Sequence, residues 1–437
     1  FNLLEADSDE QKQNIAEEIS PELTEMGMYI SLNEALFAKV RYVNENHGPL
    51  GVSEMQLLED TYLFFVRSGA ALEGEDREKY RRWEEELSLL QLRYGNNVLA
   101  ATNAYVLHLT DEADLEGLPS YVRDAGAQTA KEKGIEGWAF TLHFPSFSPF
   151  MKYSEKRSLR EQMWKAYNSK ALGGENDNTD VIRRIIQLRT DISNILGYGT
   201  YADYALERRM AKDRKTVEDF LESLMTPSLP KARKELAEIL AYARQEGFEG
   251  DELMPWDFPY WSEKWKQANY QIDEQLLKPY FRLEDCIDAV LGLATRLYGI
   301  TFEERQDIPV YHKDVKVFDV KDEKGEHLAL FYADFFPRES KRGGAWMTSF
   351  REQYSKDGQD MRPFISIVTN FSKPTGSDPS LLTHGELETF LHEFGHSLHG
   401  MLSRGVYPSQ CGTNVARDFV ELPSQIMENW GYEREFL

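Results

Sequence analysis

Residues 390–402, Phe-Leu-His-Glu-Phe-Gly-His-Ser-Leu-His-Gly-Met-Leu, constrain this chain more than any other segment. On an α-helix, His392 and His396 lie about 40° apart around the axis and about 6 Å apart along it, so both imidazoles can reach one metal ion. Glu393 is rotated by about 100° from His392, which places it beside such an ion and not on it. A glutamate there can take a proton from a metal-activated water. The segment therefore predicts a helix with a hydrolytic metal centre.

Features on either side of this motif define the helix. Thr383 and Glu386 have the spacing of a capping box, which marks a helix start. Apolar side chains between residues 390 and 402 supply a face for packing. Gly395 lowers the helix propensity, and we expect it to allow a close backbone approach beside the metal.

Glu421 is the candidate third ligand. Zinc in hydrolases usually takes three protein ligands and leaves one position for water. Pro423 lacks an N–H group and is tolerated in the first turn of a helix, so a second helix should begin near Val420 and carry Glu421 at its start. The sequence therefore predicts one zinc ion bound by His392, His396 and Glu421, with no other cofactor.

Metal-binding histidines need a hydrogen-bond partner for their second ring nitrogen. Glu388, one turn before His392, and Glu428, seven residues after Glu421, are the candidates; the alternative for each is a solvated surface acid. His399 is expected to support a ligand or to pack near the site.

The rest of the chain predicts a mainly α protein with a small β-sheet near the metal site. Helical apolar spacing dominates residues 1–110 and returns in several segments up to residue 298. Short runs rich in β-branched and aromatic residues, separated by turn residues, predict strands. These runs are residues 138–142, 308–310, 315–320, 328–336 and 364–369.

Length and charge limit the classes of function. A chain of 437 residues suggests two or three lobes. Its net charge of −24 provides no basic surface for nucleic acid, and no apolar run approaches the roughly 20 residues of a membrane span. Cys286 and Cys411 are too few for a disulfide framework and are expected to be free thiols.

Both ends of the chain fall within helical patterns. The sequence begins at Phe1 and stops at Leu437, and we interpret it as an internal fragment of a longer protein. A monomer is expected. The cysteine content leaves the compartment open, and the cytoplasm is favoured over the periplasm.

The chain resembles the thimet oligopeptidase-like zinc metallopeptidases, and within them is most similar to the bacterial peptidyl-dipeptidases. The resemblance implies a zincin-type, two-lobed ellipsoid with a deep central channel that admits short peptides. It also implies His392, His396 and Glu421 as zinc ligands and Glu393 as general base. The residues that carry it are 254–258, 307–312, 328–347, 394–401 and 412–425.

The same resemblance defines the parts that are expected to be missing. Family members use tyrosines and a histidine from beyond the zinc-binding glutamate, whereas this chain ends 16 residues after Glu421. We therefore expect an incomplete catalytic domain that needs a C-terminal segment to complete its active site. Within it, about 1–265 is predicted to be a mostly helical lobe and channel wall, and about 266–437 the zinc-bearing lobe.

The predicted function is hydrolysis of short peptides, with release of C-terminal dipeptides. Such release requires a group that binds the free carboxylate, and Arg338, Lys341 and Arg417 are candidates. One alternative is an endo-acting oligopeptidase on the same scaffold. Another, from a different class, is a non-catalytic zinc-containing peptide-binding protein, although structural zinc sites usually fill the fourth position with Cys or His.

Overall fold

The computed structural model describes residues 2–271, 274–374 and 379–437. Phe1, where the helical pattern was expected to begin, lies outside the described residues. The described residues form mostly helix, as the sequence predicts. The helices are α1 (Asn2–Ala6), α2 (Glu10–Ser31), α3 (Glu34–Asn46), α4 (Val52–Arg67), α5 (Gly74–Ala104), α6 (Ser120–Glu132), α7 (Phe144–Tyr153), α8 (Arg157–Asn168), α9 (Thr179–Ile195), α10 (Tyr201–Leu206), α11 (Arg214–Gln245), α12 (Phe258–Tyr270), α13 (Glu274–Leu277), α14 (Leu283–Tyr298), α15 (His384–Met401) and α16 (Leu422–Glu428).

Among the described residues, the strands form one five-stranded sheet and two small antiparallel pairs. The sheet has the order β3-β4-β5-β9-β6; β5 and β9 run parallel and the other neighbours antiparallel. The pairs are β1 with β2 and β7 with β8. The strands are β1 (Val106–Leu109), β2 (Trp138–Thr141), β3 (Thr301–Glu304), β4 (Lys316–Lys321), β5 (His327–Asp334), β6 (Trp346–Arg351), β7 (Tyr354–Lys356), β8 (Gln359–Met361) and β9 (Phe364–Val368).

One strand prediction is wrong. Residues 308–310 form no strand, because Pro309 has no N–H group to donate to a sheet. The edge strands β3 and β6 were not predicted. An edge strand pairs with a neighbour on one side only and is less buried than a central strand. Its sequence therefore shows a weak apolar pattern.

The largest apolar core lies between the sheet and α14, α15 and α16. Phe331 of β5 and Phe390 and Phe394 of α15 are almost fully buried within it. Gly400 brings the end of α15 against the sheet, because an added Cβ would meet side-chain atoms of Ile365 and Met347 at 2.7 and 2.9 Å. The sheet therefore supports the helix that carries the histidine motif.

The N-terminal helices are packed around separate, smaller apolar clusters. One joins α2, α5 and α9, a second surrounds the β1–β2 pair with α6, α7 and α8, and a third lies between α11 and α12. No helix among the described residues is both long and apolar enough to cross a bilayer.

Candidate metal centre

The predicted capping box is confirmed at the start of α15. The Thr383 hydroxyl accepts the Glu386 N–H at 3.1 Å, and the Glu386 carboxylate accepts the Thr383 N–H at 2.8 Å. The same carboxylate also accepts the N–H of Ser372, which follows β9, at 2.9 Å. These bonds fix the start of α15 relative to the sheet.

The structure brings His392, His396 and Glu421 together. Oε2 of Glu421 lies 3.4 Å from Nε2 of His392 and 3.1 Å from Nε2 of His396. One potential ligand atom from each residue lies within 4.8 Å of the other two. Two imidazole nitrogens and one carboxylate oxygen are a donor set that fits a catalytic zinc ion.

Glu421 reaches this position because α16 begins directly after it. Glu421 is the residue that caps α16 and Pro423 lies in the first turn, as the missing N–H of proline requires. Packing of α16 against α15 depends on Gly395: an added Cβ would lie 2.6 Å from the carbonyl oxygen of Pro423 and 2.6 Å from Cα of Ser424. Only a glycine permits this backbone approach, which was expected from the sequence.

Glu428 supports His392. Its Oε1 lies 2.5 Å from Nδ1 of His392, so the carboxylate favours a proton on Nδ1 and leaves the Nε2 lone pair directed toward Glu421. Glu388 has a different partner: its carboxylate accepts the Tyr432 hydroxyl at 2.8 Å. In the parts of the chain that the structure describes, Glu388 makes no hydrogen bond to a histidine, because it points toward the C-terminal residues.

Glu393 is buried beside this group, with 6% of its surface exposed. Burial raises the pKa of its carboxyl group to about 7, and the negative charge of Glu421 adds to the shift. Among the described residues, its buried Oε2 has no hydrogen-bond partner. An uncompensated buried carboxylate oxygen is costly.

Other candidate residues lie around the centre. The ring centroids of His399 and Phe419 lie 6.2 Å apart in an edge-to-face arrangement. Burial lowers the pKa of His399. Cys411 is buried and its thiol donates to the carbonyl of Tyr407 at 3.1 Å. Cys286 is also a free buried thiol.

Two of the three candidate carboxylate-binding cations are already paired. Arg338 donates to both carboxylate oxygens of Asp334 at 2.8 and 2.6 Å, and the fully buried Lys341 donates to the same carboxylate at 2.8 Å. Arg417 is exposed. The edge strand β6 was not predicted, because its residues 346–350, Trp-Met-Thr-Ser-Phe, do not alternate apolar and polar side chains.

Comparisons with known proteins identify the family of the chain. The sequence model described as Peptidase family M3 matches residues 150–437. Oligopeptidase A of Escherichia coli (strain K12) is 38% identical over 430 residues, covering 96% of this chain and 63% of the relative. Dipeptidyl carboxypeptidase of the same organism is 36% identical over 436 residues, covering 98% and 63%.

The solved structure of PZ peptidase A with an inhibitor has a similar fold, with a TM-score of 0.50 and 16% identity. That likeness covers 98% of this chain and 59% of the solved one. The chain thus spans under two thirds of the length of the relatives that it matches. Because the family model matches well over half of its residues, the chain belongs to peptidase family M3.

Proposed function

We propose that this chain is the zinc-binding part of a metallopeptidase that cleaves short peptides. The observation that carries the proposal is the convergence of two imidazoles and one carboxylate directly beside the buried, unpartnered carboxylate of Glu393. A purely structural zinc site would close the fourth position with a further Cys or His.

His392, His396 and Glu421 would hold the ion, and zinc so held lowers the pKa of water and polarises a carbonyl group. The residues of the chain supply the proton transfers. Glu393 would accept a proton from the attacking water through its carboxylate and donate it to the leaving amine.

The edge strand β6 is the proposed binding surface for the peptide backbone. The direction of its hydrogen bonds follows from the neighbouring strands. The carbonyl of Pro363 accepts the N–H of Leu330 at 3.1 Å, and the N–H of Thr369 donates to the carbonyl of Asp334 at 2.8 Å. The backbone N–H and C=O groups of odd-numbered residues in β9 therefore point toward β5, and those of even-numbered residues point toward β6.

It follows that Trp346 and Thr348, which lie opposite even-numbered residues of β9, pair with that strand. Met347 and Ser349 then direct their backbone groups to the free edge. In agreement, the Ser349 carbonyl accepts the side-chain amide of Asn2 at 3.1 Å. An extended peptide can pair with such an edge while its side chains are read loosely.

We also propose two lobes, about 1–265 and about 266–437, that flank a channel. The largest core is built from residues after 280, whereas the other apolar clusters involve residues before 266. This separation supports the division that the resemblance implies.

Release of C-terminal dipeptides is our preferred activity, and an endo-acting oligopeptidase is the alternative. One E. coli relative is named an oligopeptidase, at 38% identity, and another a dipeptidyl carboxypeptidase, at 36% identity. Sequence identity therefore does not distinguish the two activities. The test is mass spectrometry of products from an N-terminally blocked decapeptide, with and without a chelator, using the full-length protein. Chelator-sensitive stepwise loss of dipeptides supports the preferred activity, internal cuts support the alternative, and no cleavage contradicts both.

A further inference from the structure

A glycine pair precedes the edge strand β6 and faces solvent. Gly343 and Gly344 are both exposed, and a Cβ added to either would meet no atom within 4 Å. Gly344 has a φ of 102°, which side chains rarely allow. The backbone of this turn is thus open to a ligand at the end of the proposed peptide-binding edge.

Asn370, which follows β9, controls which backbone groups the turn exposes. Its side-chain amide donates to the carbonyls of Arg342 at 2.9 Å and Gly344 at 2.7 Å. Both carbonyl oxygens are therefore turned toward Asn370. Within residues 2–271, 274–374 and 379–437, no protein acceptor receives the N–H groups of residues 343–345. Consecutive unpaired N–H groups form a concavity that binds anions.

The side-chain cations nearby do not compete for this role. Arg338 and Lys341 are paired with buried Asp334, as described above. Arg342 pairs with Glu5 at 2.8 Å. These three cationic side chains are therefore already paired with carboxylates.

We infer that the turn at residues 343–345 binds the free C-terminal carboxylate of the peptide. This inference rests on the proposed function and names a receptor for its substrate. A peptide that pairs antiparallel with β6 has its C-terminus where β6 begins, so its carboxylate reaches the turn. Backbone N–H groups recognise a terminal carboxylate and reject its uncharged amide. The turn would thereby select C-terminal segments of peptides.

The test is isothermal titration calorimetry on the zinc-loaded full-length protein carrying Glu393→Gln, which prevents turnover. The ligands are an N-acetylated tetrapeptide acid and its C-terminal amide. We expect the acid to bind at least about 10-fold more tightly, as a charge-assisted hydrogen bond implies. Asn370→Asp should remove this preference by placing a negative charge on the turn, while the affinity for the amide changes less than about twofold.

Asn168→Asp is the matched control, because the Asn168 amide also donates to a backbone carbonyl, that of Trp164 at 2.9 Å, but on an exposed helix. It should keep the preference for the acid. Gly343→Pro, which removes one N–H of the turn, is a second variant and should weaken binding of the acid alone.

Equal affinities for acid and amide would overturn the inference, and so would loss of the preference in Arg417→Gln but not in Asn370→Asp. Hydrolysis is scored separately with the unmutated protein. A preference for the acid without any hydrolysis would support the carboxylate site and contradict the proposed peptidase function. Hydrolysis without the preference would do the reverse.

Discussion

Nδ1 of His392 and Oε1 of Glu428 are 2.5 Å apart, although 36 residues separate them. The contact joins α15 to the end of α16 and orients the imidazole so that Nε2 faces Glu421. The second helix therefore has two roles at the proposed metal centre, because it supplies a ligand at its start and a supporting carboxylate at its end.

The first prediction concerns this supporting carboxylate. Glu428→Ala should lower zinc affinity by about 10- to 100-fold, because His392 loses the partner that fixes its tautomer. Glu388→Ala is the matched control and should leave the affinity unchanged, since Glu388 contacts Tyr432. Competition with a chromophoric chelator measures both variants, and equal affinities in the two would contradict the assigned role of Glu428.

Removal of the proposed carboxylate ligand should have a larger effect. Glu421→Ala is expected to weaken zinc binding by more than about 100-fold, beyond the loss typical of an outer partner. Glu433→Ala removes an exposed acid of the same region and should change nothing. Metal content after dialysis, determined by mass spectrometry, distinguishes the two, and retention of one zinc per chain by Glu421→Ala would exclude Glu421 as a ligand.

Gly395 provides a test of the packing that creates the site. Gly395→Ala should destabilise the fold by about 1–3 kcal/mol and weaken zinc binding, because the methyl group would push the backbone at Pro423 and Ser424 away from α15. In α14, Gly292 has no atom within 4 Å of an added Cβ, so Gly292→Ala should stabilise by about 0.5–1 kcal/mol. Urea unfolding monitored by circular dichroism measures both changes, and equal stabilities of the two variants would contradict the close approach.

The stability of the fold around the start of α9 should depend on pH through Asp177. Its carboxylate accepts the Thr179 hydroxyl at 2.7 Å and the N–H groups of Gly173 and Thr179 at 3.0 and 2.9 Å. These hydrogen bonds, those of Thr179 first, lower the pKa of Asp177 from 3.8 to about 2. Between these values the unfolded state binds more protons, so the stabilisation present above about pH 4 is lost as the pH falls toward 2.

Asp177→Asn removes this ionisation. The wild-type protein should exceed the variant in free energy of unfolding at pH 6, and the difference should shrink at pH 3. Urea unfolding at the two pH values measures it, and a difference that grows toward low pH would contradict the shifted pKa.

The sequence predicts the local features of the site better than its long-range partners. Periodicity and capping define α15, and the backbone chemistry of Pro423 predicts the start of α16 within about two residues. The choice between Glu388 and Glu428 could not be made from spacing, because it depends on how two helices cross. Strand β6 was not predicted because an edge strand buries few of its side chains. Once its register with β9 is known, the backbone groups that it leaves unpaired can be identified.

The most direct test of the central proposal measures zinc content and turnover together, for the full-length protein and for its Glu393→Gln variant. We predict one zinc ion in both proteins and cleavage of an N-terminally blocked decapeptide that falls by about 10²–10⁴-fold in the variant, as loss of a general base requires. A variant that loses zinc would contradict the assignment of Glu393 as a base that does not bind the metal. Undiminished cleavage by a zinc-loaded variant would contradict the proposed mechanism itself.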